Sequence, residues 1–162
     1  MALRQIITEG DPKLGKVCRP VTNFDKKLHD LLDDMNETLI HSGGVGLAAP
    51  QVGILRRVVV VDTGDDILEL VNPEIIETSG EQDGIEGCLS VPGVYGFVKR
   101  PNIVTVQAQD RNGNWFEVTA EELIARCFCH ECEHLDGHLY KEKVYRYPTE
   151  EELAEMFGGD EE

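Results

Sequence analysis

Residues 119–137 read TAEELIARCFCHECEHLDG. Leu123, Cys127, His130 and His134 recur at intervals of three or four, so the spacing predicts a helix with those side chains on one face. Thr119 with Glu122 has the form of a capping box at its start, and Gly137 supplies the stop. Inside this helix His130-Glu131-Cys132-Glu133-His134 is an HExxH motif. Residues four apart lie about 40° apart around a helix axis, so both imidazoles can face one ion. Glu131 is turned about 100° from His130, close enough to reach a water on that ion without joining its ligands.

Upstream, the chain is mostly β. Arg57 to Asp62 reads RVVVVD, a continuous β-branched run that predicts a buried strand; a turn at Gly64-Asp65-Asp66 leads to a second strand over Ile67 to Val71, which Pro73 ends. Further strands are expected at Ile75 to Thr78, Val94 to Lys99, Ile103 to Gln109 and Trp115 to Val118, the last two joined by the hairpin signal DRNGN at 110–114. Before them, Phe24, Leu28, Leu31, Leu32, Met35 and Leu39 mark an amphipathic helix from 24 to about 41, capped by Asn23 and closed by Ser42-Gly43-Gly44. The expected class is α+β, with antiparallel sheets packed around the HExxH helix, an N-terminal helix and a short C-terminal helix from Pro148. Residues 1–147 read as a single catalytic domain and 148–162 as an acidic helix and tail ending in a frayed GGDEE.

Net charge is −16, from 31 acidic and 15 basic residues, a field that repels free nucleic acid and anionic lipid surfaces. No apolar run approaches the roughly 20 residues of a membrane span, and the N-terminus lacks a secretory pattern, so the expected location is the cytoplasm. No heptad seam is visible, which makes a monomer the default. The five cysteines form an odd set, with Cys127, Cys129 and Cys132 crowded together, a poor disulfide framework.

A catalytic ion needs a third protein ligand and one open position. Cys127 falls near the histidine face, whereas Cys129 and Cys132 point away, so a Cys-rich structural zinc site is the weaker reading and three small buried side chains the simpler one. Cys88, within the glycine- and proline-shaped segment EGCLSVPG at 86–93, is a further donor; His138 is the one a zincin-type protease would use. The segment GGVGLAAPQ at 43–51 follows the first helix with small residues and one amide side chain.

Taken in order, GVGLAAPQ at 44–51, EGCLS at 86–90 and HECEHLDG at 130–137 resemble the three signature motifs of the bacterial-type peptide deformylases, and the likeness extends over roughly residues 3 to 145. The resemblance implies a hydrolase that removes the formyl group from N-formylmethionyl peptides. It implies that Cys88, His130 and His134 hold one divalent metal ion, natively Fe(II) with Zn, Ni or Co accepted, and that Glu131 handles protons. Gln51 and the Leu89 backbone N–H would be the donors to the developing oxyanion. Gly44, Val45, Gly46, Glu86, Gly87, Leu123, Arg126 and Cys127 would bind substrate: Gly46 beside the formyl group, Val45 and Gly87 pairing with the peptide backbone, Leu123 and Cys127 in the methionine pocket, and Glu86 and Arg126 at its rim. Cys129 stands where the family commonly has glutamine and Glu133 where it has aspartate, so the extra methylene at 133 bears on a contact with Arg100. Some relatives dock to the ribosome through a basic C-terminal helix; the acidic tail here argues against that mode and leaves ribosome docking open. A binding protein that keeps the motifs without turnover is the remaining rival, and Glu131 and Gln51 argue against it.

Overall fold

A computed structural model describes residues 2–157; the expected frayed end lies outside them. Helix α1 (Lys26–Ser42) is capped by Asp25, whose side chain accepts from the Leu28 N–H at 3.1 Å, rather than by Asn23 two positions earlier. Gly43 ends it in the left-handed region at φ 73°. Strands β1 (Gly46–Ala48), β2 (Val58–Asp62), β3 (Ile67–Ser79), β6 (Ile103–Gln109) and β7 (Trp115–Glu121) form one antiparallel sheet in the order β1-β2-β3-β6-β7. Strands β4 (Gln82–Cys88) and β5 (Val91–Arg100) make a separate antiparallel pair.

The β-branched run explains the layering. Val58 and Val60 face α1, where they meet Leu32, Met35 and Leu39, while Val59 and Val61 face helix α2 (Glu122–Leu135) and join Phe128, Ala125 and Leu135. A strand covered on both faces cannot alternate apolar with polar, so the continuous valines are the signature of a sheet held between two helices.

Three expectations are corrected. Pro73 does not end a strand: β3 runs through it, because the register shifts between Val71 and Glu74 and a proline in such a bulge has no ladder bond to lose. Asn72, at φ 51°, makes that bulge, and its side chain ties it to both backbone groups of Val21. Thr119 does not cap α2: β7 continues to Glu121, and the Thr119 hydroxyl lies 2.8 Å from that of Thr105 across the ladder. The chain instead turns at Glu122, φ 57°, whose N–H donates to the Asn102 carbonyl. The third is an omission, since β1 and β4 are strands without a strand signal in the sequence.

The short helix α3 (Glu150–Phe157) begins with a reciprocal cap, Glu152 N–H to the Thr149 hydroxyl and Thr149 N–H to the Glu152 carboxylate, and Arg146 pairs with Glu152 at 2.7 Å. An N-terminal arm crosses the other elements. The N–H of Ile7 donates to the Gln51 carbonyl, that of Glu9 to Ser90 and that of Cys18 to Leu135, at 2.8, 2.7 and 2.8 Å. No helix among the described residues is long and apolar enough to cross a membrane.

Candidate active site

Three pieces of chain meet at one cavity. Strand β1 and the 3-10 turn after it (Ala49–Val52) bring Gly46 and Gln51, the end of β4 brings Glu86, Gly87 and Cys88, and α2 brings the HExxH residues. The cavity, about 510 Å³, is lined by every residue the sequence proposed except His134, namely Gly44, Val45, Gly46, Gln51, Glu86, Gly87, Cys88, Leu89, Leu123, Arg126, Cys127, His130 and Glu131. His134 is not part of its lining and is only 1% exposed.

One sulfur and two ring nitrogens, from Cys88, His130 and His134, all lie within 4.8 Å of one another. Cys88 Sγ is 3.4 Å from His134 Nε2. His130 Nδ1 is 2.9 Å from Glu86 Oε1, which fixes the ring and leaves Nε2 for an ion. Burial, then the neighbouring His130, depresses His134 to a pKa of about 3, so its ring is neutral and has a lone pair to give. Burial works against charge on His130, but Glu131, Cys88 and Glu86 beside it hold its pKa well above the usual imidazole value, so an ion at its Nε2 would take the place of a proton. One cysteine sulfur with two imidazole nitrogens is a donor set for a borderline or soft divalent ion, and the residues fit such a metal.

The polar groups around this trio are held from behind. Burial raises the Glu86 carboxyl, but hydrogen bonds from Arg100 and then His130 outweigh it and bring its pKa to about 2. Arg100 grips Glu86 with two nitrogens, at 2.8 and 2.9 Å, and reaches Glu133 with a third at 2.6 Å, so the longer side chain at 133 keeps its contact. Arg126 adds another hydrogen bond to Glu86 at 2.8 Å. Glu86 and Arg126, expected at the rim, are thus buried at 5% exposure each, where the paired charges satisfy one another. Glu131, 4.0 Å from His130 Nε2, is pushed up by burial to a pKa of about 7. Gln51 Oε1 accepts from the Ala48 N–H at 2.9 Å, which fixes the amide and turns Nε2 toward Ser90 Oγ at 3.2 Å and Cys88 Sγ at 3.6 Å.

Two residues here carry no readable sequence signal. Tyr140 stacks on the His130 ring at 5.6 Å and donates its hydroxyl to the Val94 carbonyl at 2.7 Å, and Tyr95 lies over Gly87. Ser90 closes the EGCLS motif, yet only the fold gives it Gln51 as a partner. Cys129 and Cys132 open onto a second groove, away from the trio, in keeping with their helical positions.

The family model of polypeptide deformylase matches residues 3–149. The chain belongs to the polypeptide deformylase family. Among curated relatives, the peptide deformylase of Agathobacter rectalis is 60% identical over 144 residues, covering 89% of this chain and 91% of its own. Peptide deformylase 1 of Bacillus subtilis is 52% identical over 160 residues, covering 98% of this chain and 100% of its own. Solved structures agree: a peptide deformylase from Legionella pneumophila superposes with TM-score 0.86 at 43% identity, covering 88% of this chain and 86% of that one. One from Synechococcus elongatus, in complex with actinonin, gives TM-score 0.84 at 38% identity, covering 96% and 85%. Membership makes this chain an enzyme of the deformylase class, which is metal-dependent and acts on the N-formyl group of new polypeptides.

Proposed function

We propose that this deformylase removes the formyl group from N-terminal formylmethionine through Cys88, His130, His134, Glu131, Gln51 and Leu89. The observation that carries the reading is the convergence of a Cys-His-His donor set with one carboxylate and one oriented amide N–H on a single cavity. Cys88, His130 and His134 would hold one divalent ion, natively Fe(II), with Zn, Ni or Co able to substitute. When bound, the ion polarises the formyl oxygen and acidifies a water beside it.

The chain's own groups then divide the work. Glu131 takes the proton of the attacking water as oxygen adds to the formyl carbon, and returns it to the leaving nitrogen as the C–N bond breaks. A carboxyl near pH 7 is suited to both transfers, and its Oε1, buried without a protein partner, is free to make them. Gln51 Nε2 and the Leu89 N–H donate to the oxygen that gains charge. Gly46 keeps the formyl site narrow, so hydrogen is admitted on the acyl carbon where a methyl is refused. Gly44, Val45 and Gly87 line the path of an extended peptide, and Leu123, Cys127 and the Glu86–Arg126 pair enclose the methionine side chain. Residues 1–147 form the catalytic unit in this reading, which works as a cytoplasmic monomer without nucleic acid or membrane; nothing in it requires the ribosome.

Formate release from formyl-Met-Ala-Ser, measured anaerobically beside metal analysis of the same sample, tests the assignment. Glu131→Ala is expected to keep one ion per chain and lose about 10²–10⁴-fold in turnover. Parental turnover in that variant would remove Glu131 from the mechanism.

A further inference from the structure

The hairpin that joins β4 to β5 turns through Leu89 and Ser90 alone, between the paired residues Cys88 and Val91. Such a turn is ordinarily left at the surface, yet Ser90 is 0% exposed. Its hydroxyl accepts, at 3.2 Å, from Nε2 of Gln51, itself 1% exposed. At the other end of that amide the Ala48 N–H must meet an oxygen, which assigns Oε1 there and leaves Nε2 for Ser90. Ala48 alone would let the amide plane swing about one anchor. Ser90 supplies the second anchor and takes one of the two Nε2 hydrogens. The other hydrogen is left on the side of Cys88, whose sulfur, 3.6 Å from Nε2, is a weak acceptor beside an oxyanion. The backbones of the two residues are held in turn by the N-terminal arm. Ile7 N–H donates to the Gln51 carbonyl at 2.8 Å and Glu9 N–H to the Ser90 carbonyl at 2.7 Å, so one short segment fixes the spacing between them.

We infer that Ser90 is a positioning residue, which aims the second N–H of Gln51 at the formyl oxygen, and that the arm keeps the pair in register. This rests on the reading of Gln51 as an oxyanion donor. A donor already aligned needs no reorganisation when charge develops on that oxygen. Without Ser90 the amide has to be ordered in the transition state itself, so the cost falls on kcat and leaves KM alone.

The test is a cycle of Ser90→Ala, Gln51→Ala and the double variant, all loaded with the same ion, with kcat and KM measured on formyl-Met-Ala-Ser. Ser90→Ala should keep its metal, hold KM within about twofold and lose about tenfold in kcat, and Gln51→Ala should lose about 10²–10³-fold. The double variant should match Gln51→Ala within about twofold, because no amide is left to aim. A serine that supports only the fold, or only Cys88, would cost the same factor in both backgrounds. That result, or a parental kcat in Ser90→Ala, would overturn the inference. The arm is tested at Glu9, second residue of a turn closed by Asp11 N–H to the Thr8 carbonyl at 3.1 Å, with Gly10 at φ 106°. Proline is favoured at that place in such a turn, so Glu9→Pro deletes the N–H without opposing the backbone, and Glu9→Ala controls for the lost pair with Lys141. Proline should lower kcat by about threefold or more beyond alanine, and equal rates would overturn the arm's part. Hydrogen exchange of the Gln51 side-chain amide, followed by NMR on the zinc form, reads the brace without turnover. Its Nε2 protons should exchange about tenfold faster in Ser90→Ala, and unchanged exchange would overturn the brace. Faster exchange beside a parental rate in Gln51→Ala would uphold the brace and defeat the oxyanion reading of Gln51.

Discussion

Gly46→Ala isolates how tightly the Glu131 carboxylate is placed. The backbone at Gly46 tolerates any L residue, so the substitution acts only through space. A Cβ there would stand 2.5 Å from Cys127 Sγ, 2.8 Å from Glu131 Cγ and 2.9 Å from Glu131 Oε2. Ordinary contacts run about 3.5–4.0 Å, so these groups must retreat by roughly 1 Å. Cys127 is 6% and Glu131 4% exposed and both form the cavity wall, so neither can retreat without reshaping that wall. A misplacement of roughly 1 Å at a reacting group costs about 100-fold in rate, or ~2.7 kcal/mol of barrier. Overpacking adds about 1–3 kcal/mol of lost stability. Formate release, metal content and thermal unfolding of the same preparation should therefore show full metal, a lowered midpoint and kcat reduced about 100-fold. Adding Cys127→Ala removes the sulfur clash and should recover stability without recovering rate, since the two Glu131 contacts persist. A single Gly46→Ala variant that turns over at the parental rate would refute the reasoning.

Three other outcomes rest on the same geometry. Cys88→Ala leaves two imidazoles for the ion, and dialysed protein should retain less than about a tenth of the parental metal by elemental analysis, whereas retention of a full equivalent would show that another side chain completes the set. Arg100→Met removes the bidentate partner of Glu86, leaving it Arg126 and His130, and leaves Glu133 only Lys143; chemical denaturation should find the fold destabilised by about 3–5 kcal/mol, while a loss below ~1 kcal/mol would mean that those remaining partners suffice. The hydrogen bond from Arg146 lowers Glu152 from 4.5 to about 2, so its contribution to α3 is complete above 4.5 and is lost as pH falls toward 2. Amide protection in α3, taken relative to the intrinsic exchange rate at each pH, should fall across that acidic window in the parent, and Arg146→Ala should show the lower protection already at neutral pH.

The residues of the candidate site were more legible in the sequence than the fold that gathers them. HExxH is legible because the helix repeat alone puts His130 and His134 on one face, and the valine run is legible because burial on two faces leaves no polar alternation. Strand β4, QDGIEGC, has neither pattern; its conformation is imposed by pairing with β5, a contact between segments that local propensity does not encode. Asn23 and Asp25 are equally good caps, and only the packing of Leu28 and Leu31 selects the second. The depth of Glu86 was hidden for a similar reason. A carboxylate reads as exposed until Arg100 and Arg126, from β5 and α2, are found beside it.

The N-terminal arm constrains when the enzyme can exist during its own synthesis. Residues 7–18 leave the translating machinery before their partners Gln51, Ser90 and Leu135, which are spread along most of the chain that follows. The arm must wait unbonded until the last of these has emerged, and its docking then ties the three cavity-lining segments in one step. Half-made chains accordingly lack the donor set of Cys88, His130 and His134, because Cys88 is made well before the two histidines, and the group is complete only when most of the chain exists.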